Sequence, residues 1–199
     1  MDLLERWTEL TGERRLGEEL VARYREKHRR YHTDVHLAAV LDLVDELAEH
    51  ADDADAVRLA AWFHDAVYDP QRGDNEERSA LLASRMLTDL GYAHAERVAD
   101  LVRMTKTHEP ADADGRVLCD ADLAILAAEP AAYAAYTVAV RQEYAFIPEE
   151  FFRPGRADVL EQLLLLPSLF HTEIARDRFE ARARANVQAE ISALRTSDA

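Results

Sequence analysis

The chain has 199 residues, enough for one helical domain that buries roughly 70% of the surface its unfolded form exposes and needs no covalent staples. It carries 24 basic and 39 acidic residues, a formal charge of −15. A field of that sign repels phosphate backbones at long range and sets DNA and long RNA aside as partners, while a small phosphorylated molecule stays open because a bound cation would dominate locally. A single cysteine, Cys119, excludes an internal disulfide and a multi-cysteine zinc cluster. The amphipathic start, Met1 to Leu10, lacks a signal-peptide core, and the aliphatic block Leu163–Leu166 is far short of the roughly 20 residues of a bilayer span. The sequence is therefore read as cytoplasmic, with no membrane partner.

In chain order, apolar residues recur at three- and four-residue spacing, the period of amphipathic helices. Trp7 and Leu10 begin it, followed by Leu16, Leu20 and Tyr24, then Leu37, Val40, Leu41, Val44 and Leu47. Val57, Ala60, Ala61 and Phe63 lead into His64. Leu81 to Leu90 follow, with Gly91 as the C-terminal stop, then Val98 to Met104, and Leu118 to Leu126 closed by Pro130. Later helices are predicted over Ala131–Tyr144, Pro148–Leu165 and Thr172–Leu194, with Pro148 in a first turn. Asp69–Asn75 and Glu109–Arg116 read as polar loops, each just after a histidine, His64 or His108. No strand pattern and no internal repeat is found. The fold class is all-α, a single domain over 1–199 with its core at about 24–190; Trp7 and Phe151–Phe152 offer a surface for a homodimer.

Three clusters carry chemistry. His64–Asp65 end an apolar helix, and either group costs several kcal/mol to bury without a partner; a divalent cation satisfies both, as would a carbonyl for His64 and an arginine for Asp65. His32 and His36 lie four apart, so one helical face presents both rings, either chelating one metal or dividing metal and substrate between them. Asp120 and Asp122 stand in an otherwise apolar helix. N-capping accounts for one of them and leaves the other, taken to be Asp122, for another role.

His32, His64–Asp65 and Asp122 resemble the H…HD…D signature of the HD superfamily, with separations of 32 residues (His32 to His64) and 57 (Asp65 to Asp122). Further stretches are similar to a bacterial subgroup of HD metal-dependent phosphohydrolases: Arg30-Tyr31-His32-Thr33 with His36, Ala60 to Tyr68, Asn75-Glu76-Glu77 with Ser79-Ala80, Thr105 to His108, Asp120 to Leu126, Arg141 to Tyr144, and Ala183 to Asn186. The resemblance covers roughly 24–190. It implies an all-α HD-domain helical bundle, a divalent metal (Mn, Fe, Co, Ni, Zn or Mg) on His32, His64, Asp65 and Asp122, and hydrolysis of a small phosphate ester or nucleotide by metal-activated water. His36, Asp69, Glu76 and His108 are the candidates for general acid or base. Arg30, Lys106, Arg141 and Arg156 are those for substrate phosphate. A second metal on His36 or His108 stays open. So do a non-catalytic regulatory domain binding metal and nucleotide, and a metal-free helical interaction protein.

Overall fold

A computed structural model describes residues 2–196. All regular structure among them is helical, with no strand. The chain divides into two compact units, Met1–Ala121 and Asp122–Ala199.

In the first unit, α1 (Leu3–Thr11) opens with a capping box: the Asp2 carboxylate accepts from the Glu5 amide at 2.9 Å, and the Glu5 carboxylate from the Asp2 amide at 3.0 Å. Gly12, at φ 75°, turns the chain into α2 (Arg14–Tyr24). Trp7 is fully buried, so it belongs to the core and offers no surface to a second copy. Its indole donates to the Glu13 carbonyl at 2.7 Å, and its ring stands edge-on to Trp62 (5.2 Å) and Phe63 (6.0 Å). Thr33 caps α3 (Asp34–Glu46), accepting from the Val35 amide.

The central helix is α4 (Ala54–Phe63), buried at Ala56, Val57 and all of Leu59 to Phe63. Its start is held twice. Asp53 accepts from the Ala56 amide, and the buried Asp114 carboxylate accepts from the Asp52 and Asp53 amides, both at 2.8 Å, while pairing with Arg97. Helices α5 (Asn75–Asp89) and α6 (Ala95–Met104) pack together beside it. At the end of α5, the Gly91 amide donates to Thr88 and the Tyr92 amide to Leu87, the stop expected from a left-handed glycine.

Helix α7 spans Ala113–Leu123, beginning inside the predicted Glu109–Arg116 loop. The Asp112-Ala113-Asp114-Gly115 run reads as turn chemistry, yet Asp112 works as a cap, its carboxylate accepting from the Gly115 amide at 2.9 Å.

In the second unit, a short 3-10 turn (Ala124–Ala127) precedes α8 (Pro130–Glu143), which has Pro130 in its first turn. Helix α9 (Glu149–Leu165) takes Pro148 as its cap and tolerates Pro154 in its second turn. The helix predicted over Thr172–Leu194 is interrupted: α10 (Glu173–Ala175) passes through a π turn (Arg176–Glu180) into α11 (Ala181–Arg195). At that turn the Glu180 carboxylate accepts from the Leu169 and Phe170 amides and pairs with Arg184, so the wider winding places an anchor for the preceding loop. Phe151 is exposed and Phe152 buried. No single helix among the described residues is long and apolar enough to cross a membrane.

One substitution tests the α1–α2 packing. Alanine normally gains about 1 kcal/mol over glycine inside a helix, but a Cβ on Gly17 would lie 2.5 Å from Trp7 Cδ1. Gly17→Ala is expected to lower stability by about 1–3 kcal/mol, read as a drop in the urea midpoint; an unchanged or raised midpoint contradicts this packing.

Candidate metal centre

The site forms where α4 ends. His64 follows Phe63 with the helix still right-handed and its amide bonded to Ala60. Its Nδ1 lies 2.7 Å from the Ala61 carbonyl oxygen. A carbonyl only accepts, so Nδ1 carries the hydrogen and Nε2 is the atom presented to the cluster. The Nε2 atoms of His64 and His36 are 3.2 Å apart. Asp65 Oδ2 lies 3.1 Å from His64 Nε2 and 3.7 Å from His36 Nε2. Three atoms so spaced have a common centre about 2 Å from each, the length of a Zn–N or Zn–O bond. His36, His64 and Asp65 thus form a group able to hold a metal ion. Two imidazoles and one carboxylate suit a borderline transition ion; Mg²⁺ prefers oxygen donors and water.

The surroundings explain why these groups are held so closely. His36 and His64 are buried at 7% and 2% exposure, so neither is stabilised by bulk water. Burial pushes the Asp65 carboxyl upward, but His64 and His32 act against it and hold it well below the usual carboxylate range. Tyr24 bridges the turn, donating to the Trp62 carbonyl at 3.2 Å and accepting from the Asp65 amide at 3.3 Å; burial pushes its phenol up to about 12. Arg29 is a second brace. Its guanidinium donates to the carbonyls of His32 (2.9 Å) and Asp65 (2.8 Å) and lies against the rings of Tyr24 and Tyr68. On the far side of the turn, the Ser79 hydroxyl accepts from the Val67 amide and donates to its carbonyl. Asn75 accepts from the Asp69 amide and donates to its carbonyl. The Asn75–Ser79 stretch of α5 therefore fixes the backbone just beyond His64–Asp65.

The expected residues fall in several places. His36, expected to act as acid or base, joins His64 and Asp65. His32 lies beside them, its ring 5.9 Å from that of His36 and stacked on Tyr68 at 4.2 Å. Asp69 accepts from the Gln71 amide in its loop, Glu76 is half-buried in the first turn of α5, and Lys106 donates to the Gly73 carbonyl. His108 adopts φ 52°, in the left-handed region. Arg30 is exposed, donating to the Lys27 and Arg29 carbonyls.

Two of the expected phosphate ligands sit in the second unit, bonded within it. Arg141 pairs with Glu149 and donates to the Tyr144 and Ile147 carbonyls. Arg156 bonds Glu190 at 2.9 Å and the Tyr136 hydroxyl at 2.8 Å. Because α7 starts at Ala113, Asp120 and Asp122 lie in its C-terminal half, where the helix dipole disfavours an anion; N-capping explains neither. Asp120 is fully buried, in the first unit. Asp122 is half-buried, in the second, and its charge acts on Tyr136.

Arg29, Tyr24 and Tyr31 were not singled out as site residues by the sequence. Nothing in the run His28-Arg29-Arg30 marks the middle residue as the buried one. A cavity of about 330 Å³ lies among Arg6, Asp45, Asp55, Arg58 and Trp62. Its charges already neutralise one another, Asp45 pairing with both Arg6 and Arg58, and it lacks the histidines that would bind an ion.

Replacing Arg29 tests the brace. Arg29→Met strands two carbonyl oxygens in a buried place and is expected to cost on the order of 3 kcal/mol. Arg29→Lys recovers only part of it, since an ammonium lacks the planar fork. Chemical denaturation of the three proteins reads the ranking; a methionine variant as stable as the parent would show that the guanidinium does not hold this turn.

Residues 33–126 match the family model of the HD domain. The match begins one residue after His32 and includes His36, His64, Asp65, Asp120 and Asp122. No curated protein and no solved structure gives a significant match. The His–Asp pair at the end of a buried helix, with a second histidine closing on it, lies within this stretch, and residues 33–126 are thereby similar to the HD domain.

Proposed function

We propose that this protein hydrolyses a small phosphate ester, nucleotides included, with His36, His64 and Asp65 holding one divalent cation. The observation that carries this reading is the triangle of two imidazole nitrogens and one carboxylate oxygen, 3.1 to 3.7 Å on its sides. A bound cation would supply Lewis acidity toward a phosphoryl oxygen and make water acidic enough to serve as nucleophile near neutral pH.

The histidines at 32 and 36 then divide the work. His36 is buried and faces His64, which suits a ligand. His32 is half-buried beside the cluster, with its ring braced on Tyr68, which suits a group that passes a proton to or from water and leaving group. Arg30 and Lys106, in the same unit as the cluster, offer the positive charge a phosphate dianion requires beyond the cation. Arg141 and Arg156 are committed to bonds of their own.

Metal binding is tested first. Untagged protein stripped with chelator is expected to take up close to one equivalent of Mn²⁺, Co²⁺ or Zn²⁺, and at 100 times Kd the ion stabilises the fold by about 2.7 kcal/mol. Calorimetry and thermal melts with and without metal read both effects. Absence of uptake by any of the three would leave a metal-free helical protein.

Activity is tested next. The loaded protein is expected to release phosphate from at least one member of a panel of nucleotides and phosphomonoesters. His64→Ala should abolish that release, and His32→Ala should lower kcat by about 100-fold or more while leaving metal content unchanged. Metal uptake with nucleotide binding and no release would favour a regulatory domain, and loss of metal in His32→Ala would return that residue to the ligand set.

A further inference from the structure

Tyr31 stands immediately before His32, and its hydroxyl lies 3.0 Å from His36 Nδ1. Its ring is tilted against the imidazole, with centroids 4.8 Å apart. His36 is thus held at both ring nitrogens, with Nδ1 on Tyr31 and Nε2 on the His64–Asp65 cluster. His64 is held differently, through Nδ1 to the Ala61 carbonyl. A carbonyl accepts only, so it fixes His64 in a single tautomer. A phenol both donates and accepts, so it keeps its bond to His36 whichever ring nitrogen carries the hydrogen.

We infer that Tyr31 is a positioning residue for the metal, turning the His36 ring toward the cluster and accepting its Nδ1 hydrogen once Nε2 is committed to a cation. The inference rests on the metal-binding reading above. With Nε2 offering its lone pair to the ion, the one remaining hydrogen of the neutral ring must be on Nδ1, and the Tyr31 oxygen is in place to receive it. Without the ion, the hydrogen can return to Nε2 and the hydroxyl turns to donate. The ring therefore stays aligned through loading and release, and the ion meets a ligand already aimed at it. The Tyr31 ring also stands edge-on to His32, with centroids 4.8 Å apart, so a substitution that keeps the ring and removes the hydroxyl isolates the bond to His36.

Tyr31→Phe removes one oxygen and leaves the ring contact. Its metal affinity, measured by calorimetry with Zn²⁺ or Mn²⁺, is expected to fall about 10- to 100-fold, with an unchanged thermal midpoint in the absence of metal. A variant that binds as tightly as the parent overturns the inference. The parent itself gives a second readout that needs no variant: nitrogen NMR of labelled histidines during Zn²⁺ titration should show His36 in its Nδ1–H form when loaded. Finding Nδ1 without hydrogen in the loaded protein overturns the inference even where the variant is too unstable to measure. The two readings fail separately. If the parent binds no metal, the metal site itself is wrong; if it binds and Tyr31→Phe binds equally, only the role of Tyr31 is wrong.

Discussion

Two imidazole nitrogens and a carboxylate oxygen brought within 3.7 Å of one another, out of water, need something positive among them. The His64 Nδ1 hydrogen is committed to the Ala61 carbonyl and points away, so Nε2 is the atom that faces the other two groups. A divalent cation meets the requirement for all three groups at once, while an apolar replacement of any one leaves the others stranded. Much of the first unit serves this constraint. Helix α4 is buried along most of its length and fastened at its start by Asp53 and Asp114, so its last residue is delivered to a fixed point. Tyr24, Arg29, Asn75 and Ser79 then hold the backbone on both sides of the His64–Asp65 turn.

Much of this was legible in the sequence. The helical period placed most helices, and the apolar run ending in His64–Asp65 identified the turn that matters, because an ionisable pair closing a buried helix is costly without a partner. Choosing between His32 and His36 was harder. Both lie four apart on paper, but α3 starts only at Asp34, so His32 sits before the helix and the two rings do not share a helical face. The Thr33 cap between them is what breaks the pattern. Asp112 misled in the opposite direction: a loop-like Asp-Ala-Asp-Gly run proved to be a helix start, which moved Asp120 and Asp122 from the expected N-terminus to the far half of α7.

Arg29 marks what sequence patterns do not carry. Its neighbours at 28 and 30 are exposed, and only the tertiary meeting of Tyr24, Tyr68 and two carbonyls encloses it. The second unit gives a parallel case. Arg156, expected at a phosphate, joins Tyr133, Tyr136 and Glu190 in a partly buried polar network; burial and the Glu190 carboxylate raise the Tyr133 phenol far above its ordinary value. An arginine on a predicted helix face looks the same whether it meets a ligand or a glutamate 34 residues on. Likewise, nothing local in Arg176–Glu180 announces a π turn; the widening follows from where Glu180 must reach.

The tryptophan pair carries one more implication. Trp62 is two residues from His64 and stacks edge-on with Trp7, so the molecule's only two indoles share the helix end that bears the ligand. Their emission is thereby an intrinsic, label-free gauge of the centre: an absorbing or paramagnetic ion entering there would dim it, and a diamagnetic one of equal charge would not.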